Sequence, residues 1–127
     1  MKKDISKEDL RKLCIDRYDA LHEEGDYKKG NRIENSIRKV AEILILEDDG
    51  VKMMYDLLFD EDDRVRYQIA GIISCLYPKE CIKVFKEIQK HSKYLLSTDA
   101  KYAILAIKDN ENDYYLEYLK KHGKSTR

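Results

Sequence analysis

Tryptophan is absent from this sequence, proline occurs once, and glycine occurs only five times in 127 residues. An all-β sandwich or barrel needs a turn about every ten residues, and the chain lacks the punctuation for one. Neither sign of charge is in excess, since 25 basic residues meet 25 acidic ones. A dedicated nucleic-acid binder draws most of its affinity from neutralising phosphates and usually carries a basic surplus. No segment approaches the roughly 18 apolar residues of a membrane span. Met1-Lys2-Lys3 is followed by Asp4 rather than an apolar run, so the cytoplasm is the expected compartment.

Motifs of chemistry are missing too. There is no GxSxG, P-loop, GxGxxG or HExxH, and His22, His91 and His122 have no zinc-finger spacing to a cysteine. The cysteines, Cys14, Cys75 and Cys81, are odd in number and form no CxxC. Each sits among apolar residues, which predicts buried free thiols in a reducing compartment. His22 lies eight residues from Cys14, and a structural role is expected for both rather than a catalytic dyad. No enzyme, cofactor or metal is expected.

What the chain has is charge and helical periodicity. Charged residues make up 39% and apolar residues 43%, the mixture of short amphipathic helices with one buried stripe each. Ser6, with Asp9 three residues on, starts a helix that carries Leu10, Leu13, Cys14, Tyr18 and Leu21 and ends at Gly25. A second runs from about Tyr27 to Glu47, and Asp48-Asp49-Gly50 reads as a turn. A short third helix breaks at Asp60-Glu61-Asp62-Asp63. Val65, Ile69, Ile72 and Ile73 mark a fourth. Pro78 opens a fifth with Ile82, Phe85 and Ile88. Ser97-Thr98-Asp99 caps a sixth, and Asn112-Asp113 a last one ended by Gly123. No run alternates at period two. A faint period of 35 aligns Val65 with Ala100, Tyr67 with Tyr102, Ile69 with Ile104 and Ile72 with Ile107. The two N-terminal helices fit it poorly and read as a cap. The expected fold is all-α: one domain over residues 1–127, with about six or seven helices in stacked antiparallel hairpins.

The stretch from Leu57 to Ile73 resembles a HEAT or armadillo-type repeat: an apolar helix end, the acidic turn, Val65-Arg66, then small and apolar residues at helical spacing. Arg66 is expected to reach back to turn carbonyls or aspartates, and Ala70 and Gly71 to permit close helix approach. The whole chain is similar to a family of small uncharacterised bacterial proteins, a domain of unknown function. The similarity rests on Leu13-Cys14-Ile15-Asp16-Arg17-Tyr18, Gly30-Asn31-Arg32, Asp63–Arg66 and Leu96-Ser97-Thr98-Asp99-Ala100. The resemblance implies an armadillo-like right-handed superhelix, no catalytic residues, and kinship with immunity proteins of bacterial toxin systems.

Three surfaces stand out. Eight acidic residues and one lysine, Lys52, lie between Glu47 and Asp63. They read either as capped turns or as a docking surface for a cationic partner. The Asp-x-Asp-x-Asp-Gly spacing of a calcium loop is missing. Lys79, Lys83, Lys86, Lys90 and Lys93 recur every three or four residues, with Glu80 and Glu87 interspersed and Lys83 placed to pair with Glu87. Ten tyrosines are an excess. Tyr18 and Tyr115 are expected in the core with wet hydroxyls, whereas Tyr67, Tyr102, Tyr114 and Tyr118 fall off the apolar stripes, where tyrosine makes a good interface anchor.

The preferred expectation is a non-enzymatic protein-interaction module, in its most specific form an immunity protein that occludes a cationic toxin domain. Its partner-binding residues would be Asp56, Asp60, Glu61, Asp63, Tyr67 and Tyr102. The alternatives are a nucleic-acid binder using the Lys79–Lys93 face and a scaffold that dimerises through Tyr114, Tyr115 and Tyr118.

Overall fold

The computed structural model describes residues 5–109 and 113–123. The expectations for residues 1–4 and for Asn112 fall outside them. The described residues form seven α-helices and one π-helical turn, with no strand. The helices are α1 (Lys7–Tyr18), α2 (Tyr27–Leu44), α3 (Asp48–Leu57), α4 (Asp63–Ile73), α5 (Pro78–His91), α6 (Ser97–Lys108) and α7 (Tyr114–Lys121). None is long and apolar enough to cross a membrane.

The N-termini follow local chemistry. Ser6 Oγ accepts from the Asp9 amide at 3.0 Å, Asp26 Oδ1 from Lys29, and Asp113 Oδ1 from Tyr115 and Leu116, each satisfying an amide that the first helical turn leaves open. Pro78 is the first residue of α5, where its missing N–H costs nothing. Gly25, at φ +65°, closes the first element in the left-handed region. Between α1 and Gly25 the helix widens into a π turn over Asp19–Glu23, and the Glu24 amide donates to Asp19 O, five residues back, at 2.9 Å.

Two boundaries and one packing contact differ from expectation. Asp48-Asp49-Gly50 is the first turn of α3, not a loop, and the chain reverses at residues 45–47 instead. Gly50 is there for contact: a Cβ would lie 2.2 Å from Leu44 O. Ser97-Thr98-Asp99 is likewise the first turn of α6, whose cap position is Leu96. Ser97 Oγ donates back to Gln89 O at 2.9 Å, tying α6 to α5. Of the pair expected to permit close approach, only Ala70 is buried. Gly71 is exposed, and a Cβ there would touch nothing within 4 Å.

Consecutive helices pack against each other from α1 to α6, and α1 also touches α3 and α4. Its Leu10, Cys14 and Tyr18 join Ile37 and Ala41 of α2, Met54 and Leu57 of α3, and Val65 and Ile69 of α4 in one core. The first helix is therefore central and does not end the array as a cap. The 35-residue period survives where side chains are buried, at Val65 and Ala100 and at Ile69 and Ile104. It is lost at the surface, where Tyr67 is half-buried and Tyr102 is exposed. Helix α7 is held by Leu119, by the Ser74 hydroxyl donating to Asp113 at 3.4 Å, by the Tyr114 hydroxyl donating to Glu42, and by Arg38 lying 5.1 Å over the Tyr114 ring.

Two of the helical glycines, Gly50 and Gly71, should respond oppositely to alanine. Gly50→Ala must displace backbone and is expected to destabilise by about 2–3 kcal/mol, the upper range of overpacking. Gly71→Ala meets only solvent and should stabilise by about 0.5 kcal/mol through helix propensity. Urea denaturation of the two variants measures both signs.

Candidate functional site

The acidic turn between α3 and α4 is neutralised from within. Asp60 Oδ1 accepts from Arg11 Nε at 2.9 Å, Asp60 Oδ2 accepts from the Asp62 amide, and its side chain is only 13% exposed. Asp62 caps α4 through the Arg64 amide and binds the Arg64 guanidinium at 3.0 and 2.7 Å. Asp63 meets Arg66 at 3.4 Å, and Arg66 Nε donates to Leu58 O at 3.0 Å, as its position predicted. Asp56 lies 3.8 Å from Lys7. Of the acids expected to face a partner, Glu61 is the one left almost fully in solvent, with a side chain 92% exposed. The turn is thus principally a capping and pairing network.

Arg64 is its hinge. Besides Asp62, it donates to Asp19 of the π turn at 2.9 Å and lies 4.7 Å over the Tyr94 ring. Burial pushes the Asp62 carboxyl up, but the hydrogen bonds and charge of Arg64 outweigh it and hold the group below its usual range. A lowered folded-state value stabilises at neutral pH, and that contribution is lost as pH falls through the carboxylate range.

Beside this network a cleft of about 290 Å³ opens between five parts of the chain. Cys14, Arg17 and Tyr18 come from α1, Leu21 and His22 from the π turn, Arg64, Tyr67 and Gln68 from α4, and Leu96 and Asp99 from the start of α6. Tyr27, at the start of α2, completes the rim. Tyr18 is buried, and its hydroxyl accepts from the Leu95 amide at 2.8 Å and so pins the α5–α6 connection over α1. His22 lies against Tyr18 with ring centroids 4.5 Å apart. Burial pushes the Cys14 thiol up to about 12, which opposes formation of the thiolate. Cys75 and Cys81 are also free thiols, pushed up to about 12 mainly by burial.

The charges in the cleft are unequally engaged. Arg17 Nε lies 2.7 Å from Glu34 Oε2, an ionic contact without hydrogen-bond geometry. Glu34 also accepts from Gln68 Nε2 at 3.1 Å. Asp99 forms no ion pair with a described residue. Burial and the Asp99 charge push the Tyr67 hydroxyl above its ordinary value. Tyr102 lies one helical turn beyond Asp99, 61% exposed, on the same face of α6. Tyr27 is 67% exposed, and Leu95, next to the lining residue Leu96, is 72% exposed.

The structure places Tyr67 in the cleft lining and Tyr102 one helical turn beyond the lining residue Asp99, and keeps Asp60, Glu61 and Asp63 at the neighbouring turn, with Asp56 in the last turn of α3. Sequence reasoning missed Arg17, Arg64, Tyr27, Leu95 and Asp99 as a group. Their partners are remote in the chain, and only the capping Asp62 two residues before Arg64 gave a local signal. The α7 tyrosines are occupied: Tyr114 and Tyr118 stack at 6.5 Å, Tyr118 lies 4.3 Å from His122, and Tyr115 is half-buried against the core. Lys83 does not pair with Glu87, whose carboxylate binds Arg66. No group of three possible metal ligands gathers among the described residues. Comparison with protein-family models, with curated proteins and with solved structures gives no match.

Two substitutions test this network. Arg64→Ala leaves Asp19 and Asp62 unpaired and should cost about 2–3 kcal/mol at pH 7, shrinking toward pH 3 as the carboxylates protonate. Chemical denaturation at both pH values reads the difference. Tyr18→Phe removes one buried acceptor, worth about 1 kcal/mol, and should speed hydrogen exchange at the Leu95 amide while α2 amides stay protected.

Proposed function

We propose that this protein is a non-enzymatic protein-interaction module that receives a cationic segment of a partner in the cleft between α1, α4 and α6. One observation carries the reading. Tyr27 of the cleft lining and Leu95, the neighbour of the lining residue Leu96, are both exposed, while the cleft's arginines already meet carboxylates and Asp99 forms no ion pair with a described residue. Large amphipathic side chains around a concavity make economical anchors, and an unpaired carboxylate beside them selects a positively charged side chain. Asp99, rather than the acidic turn, is the anionic contact in this reading. Its toxin-neutralising form, in which the module occludes a cationic toxin domain, rests on the resemblance of the sequence and on the same charge preference.

Selection of a random peptide display library on the purified protein tests it. Enriched peptides should carry Lys or Arg next to an aromatic or aliphatic residue. Their affinity should fall at least about 10-fold with Asp99→Lys, the equivalent of about 1.4 kcal/mol, and again with Leu95→Asp. Failure to enrich any sequence, or equal binding by both variants, would remove the cleft as the partner site.

A further inference from the structure

Helix α5 carries a second surface, independent of the cleft. At about 100° per residue, Lys79, Lys83, Lys86 and Lys90 fall within about 60° of each other around the helix. The buried stripe of Val84, Phe85 and Ile88 lies on the opposite side. All four lysines are exposed, as is Lys93 just beyond the helix end. None of the five forms an ion pair with a described residue. Of the two acids interspersed in the row, Glu80 and Glu87, the second is withdrawn by Arg66 of α4. Folding thus leaves an unbalanced row of positive charge about 16 Å long, from Lys79 to Lys90 at 1.5 Å per residue, on a chain whose net charge is zero.

We infer that this row docks the sugar–phosphate backbone of a nucleic-acid duplex without reading its bases. Lysine meets phosphate as a compact point charge, and duplex DNA presents one negative charge per roughly 1.7 Å of axis, enough to engage every lysine of the row. The row holds no arginine fork for base edges and no aromatic ring for stacking unpaired bases. Insertion into a membrane surface would need the apolar side of α5, and that side is committed to the core.

The test is fluorescence anisotropy of a labelled mixed-sequence DNA duplex with the full-length protein across a salt series. With four or five lysines engaged, affinity should fall about 100-fold or more between about 50 and 200 mM salt. Lys83→Gln with Lys86→Gln should weaken low-salt binding and reduce the slope of log K against log salt by about 2. Lys28→Gln with Lys39→Gln, exposed on α2, should leave both unchanged. All four side chains face solvent, so the variants are expected to keep the wild-type circular dichroism. The inference is overturned by absence of binding at low salt, by an unchanged slope in the α5 variant, or by equally tight binding of poly-glutamate or anionic vesicles.

Discussion

Burial of one face of α1 is the constraint on which the other contacts hang. Leu10, Cys14 and Tyr18 are almost wholly excluded from solvent, and the helix that carries them touches α2, α3 and α4 together. Side chains of this size stabilise by about 1.5–3 kcal/mol each when buried, so three helices gain by meeting at the same place. The hydroxyl at the end of that face extends the arrangement further. Tyr18 accepts from the Leu95 amide and fixes where the α5–α6 connection crosses α1. The cleft exists because that crossing leaves a gap between α1, α4 and α6 that no side chain fills.

Charge then distributes itself around this frame. Arg11, Arg64 and Arg66 each answer an acid of the α3–α4 turn, and Arg64 also reaches the π turn. A run of acids that looks like a docking surface in one dimension is largely spent on capping and on internal pairs in three. The same economy has a second effect: because Arg66 takes Glu87, the lysines of α5 lose one of the two acids interspersed among them. One ion pair between α4 and α5 thus helps close the acidic turn and leaves the basic row open.

Much of the fold was legible residue by residue. The caps at Ser6, Asp62 and Asp113, the proline at the start of α5 and the left-handed glycines at 25 and 123 are local signals, and each stands where its chemistry puts it. The misreadings are equally specific. Asp48-Asp49-Gly50 has the composition of a turn, but acids favour a helix N-terminus and the glycine is required by the Leu44 carbonyl of the preceding segment. Gly71 lies in a pattern of small residues, yet it points to solvent. In both cases the packing around the glycine decides, through a close backbone carbonyl at Gly50 and open space at Gly71.

The candidate site was less legible for the same reason. Tyr67 and Tyr102 could be singled out because they break the apolar periodicity, but their relation to Tyr27, Leu95 and Asp99 depends on how four segments converge. By itself the sequence determined helix number, most helix ends, the solvent-facing lysine row and the thiol-rich apolar faces, since these follow from caps, breakers and a 3.6-residue period within one segment. Only the tertiary structure decided that α1 is central, which carboxylates are spent on arginines, which tyrosines remain exposed and where the cleft opens. Those outcomes depend on pairs such as Arg64 with Asp19 and Tyr18 with Leu95, separated by 45 and 77 residues, and no local periodicity encodes a meeting at such range.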